Sequence, residues 1–300
     1  MALPKAPGIR RPAVAGPNRF YPADANQCRA WAQKFVNGAV ATGTSVTKCI
    51  GGIVPHAGWI CSGAIAGQTI GVLKRCAPDA EVIVVFGAIH TPLAIKTAAL
   101  DSYGKWIEPS GESLIAEDIR AGLVEKSDWF VVDDRFHLNE HAVEVELPLI
   151  EIAWPGAAIL PIEVPLTSSA IEIGRETAQR LMKENRRAVF LASSDLTHYG
   201  PNYRFAPAGI GTLGLEWAKQ NDRRLLGLVE KFDVDAIVPE VAMHLNACGG
   251  GAIAAMMSAC REYGAGSATV LQHASSFETL RDVAPQTPDN AVGYAAVLIM

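Results

Sequence analysis

A series of apolar runs alternating with amphipathic stretches constrains this chain more than any other feature. EVIVVFG, AAILPIEV, AVFLASS and the closing AVGYAAVLIM carry almost no polar residues, and CIGGIVP, WFVVDD and SATVLQHAS add shorter runs. Continuously apolar runs of this length read as strands covered on both faces. Between them, SGAIAGQTIGVLKRC, ESLIAEDIRAGLVEK, VEVELPLIEIA, AIEIGRETAQRLMKEN, GLEWAKQNDRRLLGLVEKF and GGAIAAMMSACREYG have helical character. DANQCRAWAQKFVNGAV reads as a first helix, with Asp24 or Asn26 as its cap. Strand and helix in alternation predict an α/β fold, a single layered domain over residues 1–300 with a largely buried mixed sheet between helices. The last ten residues are expected to be a core strand.

Composition narrows the function classes. A net charge of −5 leaves no basic excess for nucleic acid. Arg10 with Arg11, and Arg186 with Arg187, read as solvated surface pairs. No run reaches the roughly 18–20 apolar residues of a membrane span, and MALPKAPGIRRPAVAG lacks a signal-peptide core. These features predict a cytoplasmic protein, in which the six cysteines, without CxxC spacing, stay mostly free thiols.

Four reactive side chains fall where an apolar run stops or a helix begins: His56 in PHAGWICSG, His90 in FGAIHTPL, His198 in SSDLTHYG and Cys248 in ACGGG. Ligands of open α/β sheets collect at the carboxyl ends of strands. Each residue also has a plain structural reading. A strand-end histidine can be a hydrogen-bonded core residue, Asp195 a cap and His198 a surface group, and a cysteine a small apolar filler. Their recurrence at four segment ends favours a transition-metal site built from imidazole and thiolate. Cys248 precedes a glycine-rich helix start, which favours the thiolate. Asp195, three residues before His198, fits a carboxylate that orients a proton-transferring imidazole. Tyr21, Trp59, Tyr199 and Trp217 are the aromatics available to line a pocket for a flat substrate.

A competing pattern is HLNEH, with His137, Glu140 and His141 in the H-x-x-E-H order of inverted zinc peptidases. No apolar helix leads into it, and the helix that follows is expected to begin only around Glu140. Glu140, His141 and Glu144 can instead support the first site from outside its ligand set.

Taken in order, RRPAVAGPNRFYP, PHAGWICSG, FGAIHTPL, NEHAVEVELPLI, ASSDLTHYG, ACGGGA and VGYAAVLIM resemble the Memo family, which includes the bacterial AmmeMemoRadiSam system protein B. The resemblance implies a fold similar to class III extradiol dioxygenases around one metal ion. It assigns His56, His90 and Cys248 as metal ligands, and Asp195 with His198 as catalytic groups on the open side. The chain departs from the family pattern at AGPNRFYP, where the loop is longer, at Ala142 in place of a serine, and at GAIH in place of G-P-x-H.

A His/His/Cys set keeps the charge of the two-histidine, one-carboxylate triad of non-haem iron oxygenases, with a softer, oxidisable anion. The expected cofactor is one transition metal ion, iron(II) or copper ahead of zinc. The expected function is redox or dioxygenase-like chemistry on a small-molecule substrate or dioxygen, with His198 as acid–base. The alternatives are a non-catalytic metal-binding or regulatory protein, partnered by a radical enzyme or a regulatory protein, and a metal-free hydrolase-like scaffold.

Overall fold

A computed structural model of the chain describes residues 10–39 and 48–300. Residues 1–9, most of the segment read above for a signal peptide, lie outside the described residues, as does Val40 at the end of the first helical pattern. Strand β1 (Arg10–Arg11) is followed by α1 (Ala25–Asn37), β2 (Gly51–Val54), α2 (Trp59–Cys76) and β3 (Val82–Ala88). Next come β4 (Ala98–Leu100), β5 (Lys105–Glu108), β6 (Gly111–Leu114), α3 (Glu117–Lys126) and β7 (Phe130–Val132). The middle of the chain forms α4 (Leu147–Ala153), β8 (Ala158–Val164), α5 (Ser169–Lys183), β9 (Ala188–Ser193) and β10 (His198–Tyr199). Helices α6 (Thr212–Glu230), α7 (Val234–His244) and α8 (Gly250–Glu262) precede β11 (Ala268–Ser275), α9 (Ser276–Thr279) and β12 (Ala291–Ile299).

The apolar runs form the centre of one mixed sheet. Strands β2, β9, β3 and β8 lie side by side and parallel. The closing run, β12, pairs antiparallel with β2, β10 and β11. All seven residues of β3 are buried, and their alternation divides the core. Val82, Val84 and Phe86 face a layer containing α3, α5, α6, α7 and α8. Ile83 and Val85 face α1, α2 and α4. Burial on both faces is why these strands lack polar alternation. Helix α1 approaches α2 closely at Gly67, where a Cβ would stand 2.6 Å from the Phe35 Cβ. The Asp24 carboxylate caps α1 by accepting from the Gln27 N–H at 2.8 Å.

Several local expectations are corrected. Residues 112–114, read as the start of a helix, pair with β5 in a hairpin, and Lys105 meets Glu112 at 2.6 Å. The helix expected from Glu140 starts at Leu147, after a tight turn at Glu144–Glu146. Helix α2 starts at Trp59, ahead of the expected Ser62. Cys49 and Cys76 are joined in a disulfide between the start of β2 and the end of α2, while Cys28, Cys61, Cys248 and Cys260 are free. Arg11 is not solvated: it is 2% exposed and bonds Glu144 at 2.6 Å. Arg186 and Arg187 do lie at the surface. Among the described residues, no helix is long and apolar enough to cross a membrane.

Candidate metal centre at the strand ends

Because β2, β3 and β9 run parallel, their carboxyl ends open on one edge of the sheet. His56 follows β2 by two residues, His90 follows β3 by two, and Asp195 follows β9 by two. Cys248 comes from the opposite direction, just before α8. Its backbone N–H donates to the Asp195 carbonyl at 3.2 Å, which sews the two segments together. The result is a cluster in which one donor atom each from His56, His90 and Cys248 lies within 4.8 Å of the others. The Cys248 Sγ is 3.2 Å from the His56 Nε2.

Hydrogen bonds fix which ring nitrogens face the cluster. The Ser193 hydroxyl donates its single proton to the Ala142 carbonyl at 2.5 Å, so it must accept from His56 Nδ1–H, 2.9 Å away. His56 Nε2 is left with a lone pair. His90 Nδ1 donates to Glu140 Oε1 at 2.8 Å, which leaves its Nε2 on the side of Cys248. A carboxylate or hydroxyl behind a ligating imidazole is the usual support of a metal site.

The electrostatics of this partly buried edge agree with that arrangement. Burial, with the neighbouring histidines, holds His56 well below the usual imidazole range. Burial also works against a charged His90, but hydrogen bonds with Cys248 and Glu140 bring it up to about 11. Burial pushes the Cys248 thiol up while His90 pulls it back. Thiol and imidazole thus compete for a proton where both lone pairs converge, and a cation would satisfy both. The donor set fits a first-row transition metal, since it offers two imidazoles and one soft anion.

Beside the cluster lies a cavity of 360 Å³ lined by His141, Asp195, His198, Tyr203, Tyr294 and Phe20, among others. His198 donates from Nδ1 to the Leu196 carbonyl at 3.0 Å, so Nε2 is the nitrogen able to accept a proton. Burial lowers its pKa, which keeps it neutral. Asp195 does not pair with His198 as expected. Its Oδ1 accepts the His56 backbone N–H at 2.9 Å, and it also takes the Ala57 N–H, so it holds the His56 loop. Burial raises Asp195 to about 7 against those bonds. His141 stacks on Phe20 at 4.6 Å and on His90 at 4.5 Å, forming one cavity wall.

Glu144 is not beside the ligands. Its carboxylate accepts from Arg11 at 2.6 Å, from the backbone N–H groups of Val14, Ala15 and Gly16, and from the Tyr21 hydroxyl at 2.8 Å. It thereby fastens the N-terminal segment that carries Phe20 to the cavity. Within AGPNRFYP, Asn18 turns the chain at φ 60°, a left-handed position that asparagine tolerates.

The H-x-x-E-H reading does not assemble. Residues 137–141 are not helical; His137 is fully buried, bonds the Ala99 carbonyl at 3.1 Å and sits against Trp106. Glu140 and His141 instead group with His90. The expected aromatic lining is also revised. Tyr199 is a core residue, Trp217 packs on Phe205, and Tyr21 and Trp59 line separate cavities. Phe20, Tyr203 and Tyr294 take their place. Local sequence gave no sign of Tyr294, whereas Phe20 lay inside the RFYP motif.

Fold and cluster together describe a strand-end His/His/Cys grouping in an α/β protein, with a cavity lined by His198 beside it. The family model for Memo-like proteins matches residues 10–298. A MEMO1 family protein of Methanococcoides burtonii is 30% identical, over 97% of this chain and all of its own length. Those of Pyrococcus horikoshii and Pyrobaculum arsenaticum are 30% and 33% identical, with 97% of this chain and 99% and 98% of theirs covered. The chain belongs to the Memo family.

Proposed function

We propose that this protein is a mononuclear metal protein with redox or dioxygenase-like activity on a small molecule or dioxygen. His56, His90 and Cys248 would hold the ion, iron(II) or copper ahead of zinc. The observation that carries this reading is the convergence of their three donor atoms, with Ser193 and Glu140 each holding one imidazole in the ligating orientation. When bound, such an ion supplies Lewis acidity and one-electron chemistry at its open positions.

The chain's own residues supply the rest. The 360 Å³ cavity admits a small molecule beside the cluster. Neutral His198 accepts a proton there through Nε2, and the Leu196 carbonyl stabilises the resulting cation through Nδ1–H. Asp195 keeps the His56 loop in place and presents its carboxyl to the same cavity. Stacked Phe20 and His141 exclude water from one side. A cytoplasmic setting and a radical-enzyme or regulatory partner belong to the same proposal.

The test is elemental analysis of protein isolated without added ions. Wild type and His198→Ala are expected to hold near-stoichiometric iron or copper, and His56→Ala and Cys248→Ala to lose most of it. Full metal content in either ligand variant would sink the assignment.

A further inference from the structure

Two more cavities wrap the first turn of α2, next to the candidate site. One, of 220 Å³, lies between Phe20, Trp31 and Ile60. The other, of 490 Å³, is walled by Trp31, Phe35, Trp59, Ile65 and Val283, with few polar side chains. The three spaces are neighbours. Phe20 belongs to the walls of the first and the site cavity, Trp31 and Ile60 join the first to the second, and Cys61 lines both the second and the site cavity. Ile60 is 53% exposed and Val283 64% exposed, so apolar surface is left open to water here.

The two cavities that share Cys61 differ in lining. Asp195, His198 and His141 line the site cavity together with apolar Ala291 and Val292, whereas the other, which shares Cys61, is mostly indole, phenyl and aliphatic groups with Lys34, Gln272 and Thr279 among them. We propose that the ligand of the candidate site is an amphiphile, with a small polar head beside His198 and an aliphatic tail passing Cys61 into the apolar cavity. This rests on the reading of the strand-end cavity as a small-molecule site. A tail covers the open apolar surface without requiring any other occupant, and it makes Cys61 the point where head and tail meet.

The experiment is a binding series of 4-alkylphenols, from methyl to hexyl, on metal-free full-length protein, followed by calorimetry and by the fluorescence of Trp31 and Trp59. Burial of each methylene is expected to tighten binding about three- to fourfold. Ala64→Trp fills the apolar cavity from the exposed face of α2, and is expected to abolish the gain with chain length while leaving phenol itself unaffected. Val283→Asp, at a position outside the buried core, should weaken the long-chain members. Affinity independent of chain length, no binding by any member, or a length dependence untouched by both variants overturns the proposal. Because the series is run without metal, its failure is separate from loss of the metal assignment, which the metal content of His56→Ala and Cys248→Ala decides.

Discussion

Glu140 holds His90 twice over: Oε1 accepts from the ring Nδ1 and Oε2 from the backbone N–H, both at 2.8 Å. The same Oε1 also accepts the backbone N–H groups of His141 and Ala142. One buried carboxylate therefore sets both the position of His90 and its tautomer. Removing such a support behind a metal-ligating histidine costs about 10–100-fold in affinity. Glu140→Gln is expected to weaken metal binding by that factor in competition with a chelator of known affinity, with its far-UV circular dichroism unchanged. Unaltered affinity would remove Glu140 from the site.

His198→Asn separates proton transfer from metal holding. Its metal content should match wild type, while oxygen uptake with a catechol panel on anaerobically iron-loaded protein falls by about 10²–10⁴-fold. Uptake equal to wild type would show that His198 moves no proton. No uptake from either protein with any metal would leave a binding role.

The Arg11–Glu144 pair is a third target. Both side chains are almost fully buried, so removal of one strands the other without water. Glu144→Ala should cost about 3–5 kcal/mol of stability, read as a lowered urea midpoint. A loss below about 1 kcal/mol would mean that the N-terminal segment does not depend on this carboxylate.

His137 gives the fold an acid sensitivity whose sign is fixed. Burial, opposed only in part by the bond to the Ala99 carbonyl, lowers it from 6.5 to about 4. Between those values the unfolded chain takes up a proton that the folded chain refuses. Stability therefore falls as pH drops from 6.5 towards 4, by up to about 3 kcal/mol, and this contribution is complete above that window. His137→Gln should flatten the slope of unfolding free energy against pH over that range. Equal slopes in the two proteins would contradict a buried neutral His137.

The central strands and the converging residues were legible because both depend on local pattern. An apolar run shows its own burial, and a histidine just past its end shows where it emerges. What escaped notice depends on partners far away in sequence. Ser193 orients His56 across 137 positions, and Glu144 anchors Gly16 across 128. Strand β6, GESL, has helix-compatible residues and becomes a strand only because β5 pairs with it. Helix α7 contains Pro239, which masks its helical pattern. The Cys49–Cys76 bond joins residues whose spacing carries no redox signature.

The stretch 140–144 serves three ends at once: Glu140 steadies His90, His141 walls the cavity and Glu144 grips residues 11–21. The amino-terminal arm and the reactive edge are thus mechanically one part. Deletions reaching past Gly16, or bulky fusions placed hard against Arg11, should be read as perturbations of the candidate site rather than as harmless trimming of a tail.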